Sequence, residues 1–383
     1  MRHALSTWGV LLIGGIAFVA GCGGEGPTSI AGAVGPPGED LVRAKALRDA
    51  ALASARVWSP PARPIPVADL STNPEGPDHL DEDSVVECRF SMDAVSGTTP
   101  KFYCELPNGE RLKIKYGGAN PELYAEVAAS RLLTALGFMS DHMFVVRRVR
   151  CAGCPLFPFQ ALRCYARVGL HSACFPGGVD YERTVDFDVA VLERKLPGRI
   201  IEVEPDQGWA WFELDRIDPS QGGSTRAEVD AFRLMAVFLA HWDNKSPNQR
   251  LICPPGADRP DGSCERPLAI VQDLGATFGP LKVDLQNWRR GRMWKDGATC
   301  TVSMEHMPWG GGTFPERRIS EGGRRLLLGL LEQLSDDQLV DLFTASRVIT
   351  HDQFSSEARR VESWVRTFKD RIEQIRAGGP CPS

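Results

Sequence analysis

Five side chains of this 383-residue chain stand in an order and spacing that could handle a highly charged anion. Lys115 ends the strand-like run LKIK, and Glu126 follows in a helix-forming stretch. Asp243 and Asn248 share the segment HWDNKSPNQ, directly after a long apolar helix pattern. Asp273 follows LAIVQ and precedes Leu274 and Gly275. An ammonium oriented by a carboxylate through a charge-assisted pair neutralises negative charge. Carboxylate and amide oxygens are the ligands that hard cations such as Mg²⁺ and Mn²⁺ accept. An Asp-x4-Asn or an Asp-Leu-Gly taken singly is an ordinary turn; the ordered conjunction is the signal.

The flanking patterns supply elements to position these groups. KFYCEL and RLKIKYG read as strands joined by Pro-Asn-Gly-Glu, a hairpin turn because Asn-Gly tolerates positive φ. Asn120 can cap the next helix, Pro121 suits its first turn and Glu122 the positive end of its dipole. The body ELYAEVAASRLLTALG ends at Gly137. Glu126 shares a helix face with Ala129, Ser130 and Leu133, so it points partly inward; Glu122, one turn earlier, is the fallback partner for Lys115. Lys113, taken as alternating with Lys115 across the strand, is expected to be solvated. MFVVRRVR and DFDVAVLERKL are further strands. Thr225 and Glu228 form a capping-box pattern before VDAFRLMAVFLAHW. Two short strands, NQRLIC and LAIVQDLG, come next, then amphipathic helices over the last ~60 residues. Strands first and helices later indicate an α+β class. His241 is expected to pack and hydrogen-bond in support of its loop. Trp209, Trp211, Trp288, Trp294 and Trp309 are expected in the core, and RRGR at 289–292 on a solvated face.

The series of strand lysine, helix glutamate, HWD…N loop and Asp-Leu-Gly resembles the protein-kinase-like fold. It is most similar to atypical bacterial kinase-like proteins, with HipA-type toxin kinases, spore-coat kinase-like proteins and secretory-pathway casein kinases as distant relatives. The resemblance implies a two-lobed architecture: a strand-rich N-lobe at 84–198 with a cysteine-rich insert near 150–180, and a helical C-lobe at 199–383. It also implies ATP and a divalent metal, Mg²⁺ or Mn²⁺. Lys115 would touch the α/β-phosphates with Glu126 orienting it, and Asp243 would accept or orient the acceptor hydroxyl's proton. Asn248 and Asp273 would hold the metal. Ser96, Gly97, Thr98, Thr99 and Lys101 of SGTTPK would cover the phosphates. The chain departs from the pattern in lacking GxGxxG and an APE motif, in having His-Trp for His-Arg, and in placing Leu274 where a phenylalanine is usual.

The first 22 residues read as an export signal. Arg2 and His3 precede a short apolar run ending VAGC, which resembles a bacterial lipobox. That resemblance implies acylation of Cys22, membrane attachment through it, and a cell-envelope location with the outer membrane favoured. Residues 23–83, rich in Pro and Gly, read as a tether with one helical patch, EDLVRAKALRDAALASARVW, inside it. The other ten cysteines are an even number in an exported chain and read as disulfides. Cys88 and Cys104 flank the hairpin, and Cys253 and Cys264 flank a polar loop. Zinc is the competing reading for Cys151, Cys154, Cys164 and Cys174, but the second CxxC knuckle is missing. Net charge is −5, which excludes an electrostatic footprint for nucleic acid. The partners expected are a nucleotide and a protein or glycan acceptor. ATP is scarce outside the cytoplasm, so the alternative is a catalytically silent kinase-like module serving the envelope as a scaffold.

Overall fold

The computed structural model describes residues 37–72, 80–203, 207–307, 310–350 and 356–382. It divides into an N-terminal unit, 1–40, described only from residue 37, and a main unit, 41–383. The export signal, Cys22 and Trp309 lie outside the described residues. No helix among the described residues is long and apolar enough to cross a membrane.

Five strands of the main unit close into a barrel in the order β1-β2-β3-β5-β4. They are β1 (Val85–Ser91), β2 (Lys101–Glu105), β3 (Arg111–Lys115), β4 (His142–Ala152) and β5 (Thr184–Arg194). The hairpin forms as its turn chemistry dictates: Lys101 lies opposite Lys115, and Gly109 takes a φ of 83°. Closure comes from parallel pairing of β1 with β4. In β1, Val86, Cys88 and Phe90 point inward while their neighbours face out, the period-2 alternation of a half-buried strand. The interior is packed with Phe90, Phe102, Leu112, Ile114, Phe144 and Leu192. The cysteine-rich insert contributes α3 (Pro158–Val168) and α4 (His171–Cys174), and adds Leu162, Cys174 and Phe175 to this core.

A second, larger core lies around helix α2 (Pro121–Ala135) and the C-terminal helices. Asn120 caps α2 by accepting from the Glu122 N–H at 3.1 Å. Helix α2 is buried on nearly every side from Pro121 to Leu133, as expected for one apolar all round. Helix α5 (Arg226–Leu239) begins with the capping box: Glu228 N donates to Thr225 Oγ1 at 3.3 Å and Thr225 N to Glu228 Oε2 at 2.7 Å. Strands β6 (Arg199–Ile200), β7 (Gln249–Cys253) and β8 (Leu268–Val271) form a small sheet beside it. The chain continues through α6 (Leu285–Arg290), α7 (Glu321–Leu331), α8 (Asp336–Ala345) and α9 (Val361–Ala377).

The tether reading fails from residue 41 to 72. Helix α1 (Pro37–Ala53) carries Ala51 and Leu52 into the larger core, followed by Ala55, Val57, Ile65 and Leu70. Trp58 Nε1 donates to Leu136 O at 2.8 Å, and Arg56 exchanges backbone hydrogen bonds with Pro267 and Ala269. Prolines here set the path of a packed segment because buried apolar anchors lie between them. The zinc reading also fails. Five disulfides join Cys88–Cys104, Cys151–Cys154, Cys164–Cys174, Cys253–Cys264 and Cys300–Cys381, consistent with an extracytoplasmic protein. Trp209, Trp211 and Trp288 are fully buried, and Trp294 packs against the larger core. Of the RRGR run, Arg290 and Arg292 are exposed as expected, whereas Arg289 is half-buried and binds Glu357 and Thr367.

Arg371 of α9 is the central polar group of the helical part. Fully buried, it donates to Trp288 O and Gly291 O at 2.7 Å and to Val237 O and Phe238 O at 3.0 Å. Val237 and Phe238 lie in the last turn of α5, and each carbonyl has a second donor, Ala240 N for Val237 O at 3.0 Å and Trp288 Nε1 for Phe238 O at 2.8 Å. Replacing Arg371 by Met removes the donor that Trp288 O and Gly291 O share and one of two donors at Val237 O and Phe238 O, and urea denaturation should show a loss on the order of 3 kcal/mol. Arg371→Lys should recover only part of it, since one ammonium cannot span both helix ends.

Candidate functional site

Lys115, last residue of β3, is buried with its Nζ 2.5 Å from Glu126 Oε2 and 3.0 Å from Glu193 Oε2. Strand and helix thus bring together the lysine and the expected glutamate. Glu193 was not foreseen. It lies on β5 directly opposite Lys113, and Lys113 Nζ binds its other oxygen. Lys113 is therefore paired and largely covered, contrary to expectation, because residues two apart in a strand share a face. Burial would lower the Lys115 pKa, but Glu126 and Glu193 outweigh it and hold the ammonium well above its ordinary range. Burial also works against ionised Glu193, yet Lys113 and Lys115 keep its carboxyl far below the usual carboxylate range. Burial pushes the Glu126 carboxyl up to about 7 against the pull of Lys115.

Glu122, the fallback, does not reach Lys115. It accepts from Thr99 Oγ1 at 2.9 Å, which ties the 96–100 loop to the first turn of α2. In the same loop Gly97 has a φ of 77°, and a Cβ there would come within 3.3 Å of Lys101 Nζ. Lys101 is half-buried and has no ion pair within 4 Å among the described residues. Burial pushes its ammonium down, with Lys115 adding to the effect and Asp273 opposing it. Ser96 and Thr98 lie in the loop beside Gly97.

Asp243, Asn248 and Asp273 come from two loops that hold each other. Trp242 N donates to Ala276 O at 3.0 Å and Phe278 N to Leu239 O at 2.7 Å. The β7–β8 pairing continues past the strands, with Gln272 N donating to Asn248 O at 2.9 Å, so Asn248 neighbours the Asp273 loop. Asn248 Nδ2 donates to Asp243 O at 2.6 Å, while its Oδ1 accepts from no described residue. Asp273 adopts a φ of 58°, a left-handed conformation that aspartate tolerates better than most residues. Its carboxylate has no hydrogen bond or direct ion pair among the described residues. Desolvation pushes this carboxyl up, but Lys115 and then Lys101 outweigh it and hold it below its usual range. By area Asp273 is open to solvent, so the crowding around it is that of a recess rather than of a sealed interior. Gly275 lets the loop approach α2: a Cβ there would sit 3.1 Å from Glu122 Cβ.

Two further residues escaped sequence reading. Lys245 Nζ binds Asp243 Oδ2 at 2.7 Å, and its position two residues after the aspartate was the available signal. Asn244 is buried and pins the loop to the 313–314 segment: its Oδ1 accepts from Thr313 N at 2.9 Å and Phe314 N at 3.0 Å. Nothing in the local sequence marks that distant contact.

The arrangement sets lysine ammonium groups within electrostatic reach of an ionised aspartate, with the Asn248 and Asp243 loop alongside. Oxygen donors from Asp273 and Asn248 suit a hard divalent cation. Lys101 and Lys115 suit the anion such a cation accompanies.

His241 packs against Trp211 with ring centroids 6.0 Å apart, but neither ring nitrogen has a hydrogen-bond partner among the described residues. The expected side-chain hydrogen bond is absent among the described residues; the backbone N–H donates to Ala236 O at 2.9 Å and the carbonyl accepts from Asn244 Nδ2 at 3.0 Å. Burial pushes its pKa down to about 4, with Asp243 and Asp273 opposing. Above an unfolded value near 6.5 the ring is neutral in both states, so its environment imposes no pH-linked cost. As pH falls from 6.5 toward 4, only the unfolded chain takes the proton and stability is lost. From pH 7 to 5, urea melts of the native chain should lose about 2 kcal/mol more than those of His241→Phe.

No protein-family model and no curated protein sequence matches the chain. Among solved structures it is similar to a Helicobacter pylori proinflammatory kinase, CtkA. The identity is 11% and the TM-score 0.43, over 77% of this chain and 97% of that one.

Proposed function

We propose that this chain is a kinase-like phosphotransferase that uses ATP and Mg²⁺ or Mn²⁺ to modify a hydroxyl on a protein or glycan. The observation that carries the reading is the meeting of Lys115, Glu126 and Asp273 at one recess, with Asn248 neighbouring the Asp273 loop. Asp273 and Asn248 would hold the metal, which when bound supplies charge neutralisation between phosphate oxygens. Lys115, oriented by Glu126, and Lys101 would bind the nucleotide's phosphates, with the Thr99-anchored loop above them. Asp243 would accept or orient the acceptor's proton, and Lys245 keeps that carboxylate in place. In this reading the fold is a two-lobed kinase-like one, and the chain is exported and lipid-anchored at Cys22. Five disulfides support the export.

One observation favours a second reading, a catalytically silent envelope binding module. Lys115 is already neutralised by two carboxylates, Glu126 and Glu193, which weakens its hold on a phosphate. Thermal unfolding of the oxidised chain from residue 23, with Cys22→Ser, separates the readings. At 100 times the dissociation constant, ATP with Mg²⁺ or Mn²⁺ should add about 2.7 kcal/mol, and Asp273→Ala should abolish the gain. A cooperative melt with no shift under either metal sinks the enzyme reading.

A further inference from the structure

Two disulfides touch inside the barrel. Cys88–Cys104 joins β1 to β2, and Cys151–Cys154 closes the Cys-Ala-Gly-Cys turn at the end of β4. Cys104 Sγ and Cys151 Sγ are 3.8 Å apart, and the Cys88 sulfur lies within 4.8 Å of both. Cys104 and Cys151 are 0% exposed and Cys88 4%. Cys154, at 7%, lines a cavity of about 490 Å³. Leu156, Phe157 and Pro176 form apolar walls of that cavity, and Arg183 sits on its polar side. A cation beside a sulfur favours an incoming thiolate, and the volume suits a small-molecule ligand.

We propose that Cys151–Cys154 is a thiol-exchange site that passes its exchange to Cys88–Cys104. A low-molecular-weight thiol, entering as thiolate, attacks Cys154 Sγ. The new bond is the mixed disulfide at Cys154; the Cys151–Cys154 bond breaks, and Cys151 leaves with the electron pair. Cys151 then attacks Cys104 Sγ, forming Cys104–Cys151 and releasing Cys88, which takes up the proton the incoming thiol gave to solvent. The cross-link between β1 and β2 becomes one between β2 and β4. Cys164, part-exposed in the same cavity, gives a thiol a second disulfide to attack, Cys164–Cys174. The site is independent of the nucleotide reading.

Non-reducing peptide mapping after alkylation tests it. In Cys154→Ser, Cys151 is left without its partner beside Cys104. The expected map shows a Cys104–Cys151 peptide, loss of Cys88–Cys104 and alkylation of Cys88. In Cys151→Ser, Cys88–Cys104 should persist. Native Cys88–Cys104 with alkylated Cys151 in folded Cys154→Ser overturns the proposal. The native chain treated with reduced glutathione gives a reading that needs no variant to fold. Glutathione on Cys154 together with Cys104–Cys151 supports the relay. Glutathione on Cys164 or Cys174 alone, with both barrel disulfides intact, overturns it. Cys253–Cys264 is the unreacting control.

Discussion

Burying the Lys115 ammonium is the constraint around which the site is organised. A charge taken out of water is tolerated only with close, well-aligned partners, and Lys115 has two carboxylates within 3.0 Å. One comes from helix α2 and the other from β5, so neither element can shift without exposing an uncompensated charge. The same cluster reaches Asp273, which the lysines hold ionised though its carboxylate has no hydrogen bond or ion pair among the described residues. The barrel and the loop after β8 are therefore coupled electrostatically, and the same loop packs on α2 through Gly275 against Glu122.

The other half of the site depends on backbone satisfaction rather than charge. Asn244 and Asn248 each spend side-chain groups on holding a loop shape, and Arg371 caps the helix that delivers that loop. The left-handed φ values at Ala240 and Asp273 mark where the chain turns sharply at each end of this region. Such strain persists only where surrounding bonds over-determine it. Here they do: backbone hydrogen bonds join the two loops on both sides of the recess.

Local chemistry made much of this legible. The Asn-Gly hairpin, the Asn120 cap and the Thr225–Glu228 box are short-range signals, and each formed as its residues dictate. Lys115 and Glu126 were legible because a strand and the helix after it leave few relative placements. Glu193 was not, since its pairing opposite Lys113 depends on how β5 registers against β3. Strand β1 carries clear alternation of its own; in the 41–72 segment the helix was legible but its burial was not, because Pro and Gly content says nothing about the apolar anchors between them. The pairing of the cysteines was not legible: Cys88–Cys104 joins β1 to β2, outside the Asn-Gly hairpin of β2 and β3, and Cys300–Cys381 joins residues far apart in sequence.

The central claim is that Asp273 and Asn248 form a divalent-metal seat beside Lys115. A crystal of the oxidised chain grown with Mn²⁺ and a non-hydrolysable ATP analogue tests it by anomalous scattering. The account predicts a manganese peak bonded to an Asp273 carboxylate oxygen and Asn248 Oδ1, with phosphate density reaching Lys115. Nucleotide bound elsewhere, or no manganese at these two side chains in well-ordered density, would contradict it.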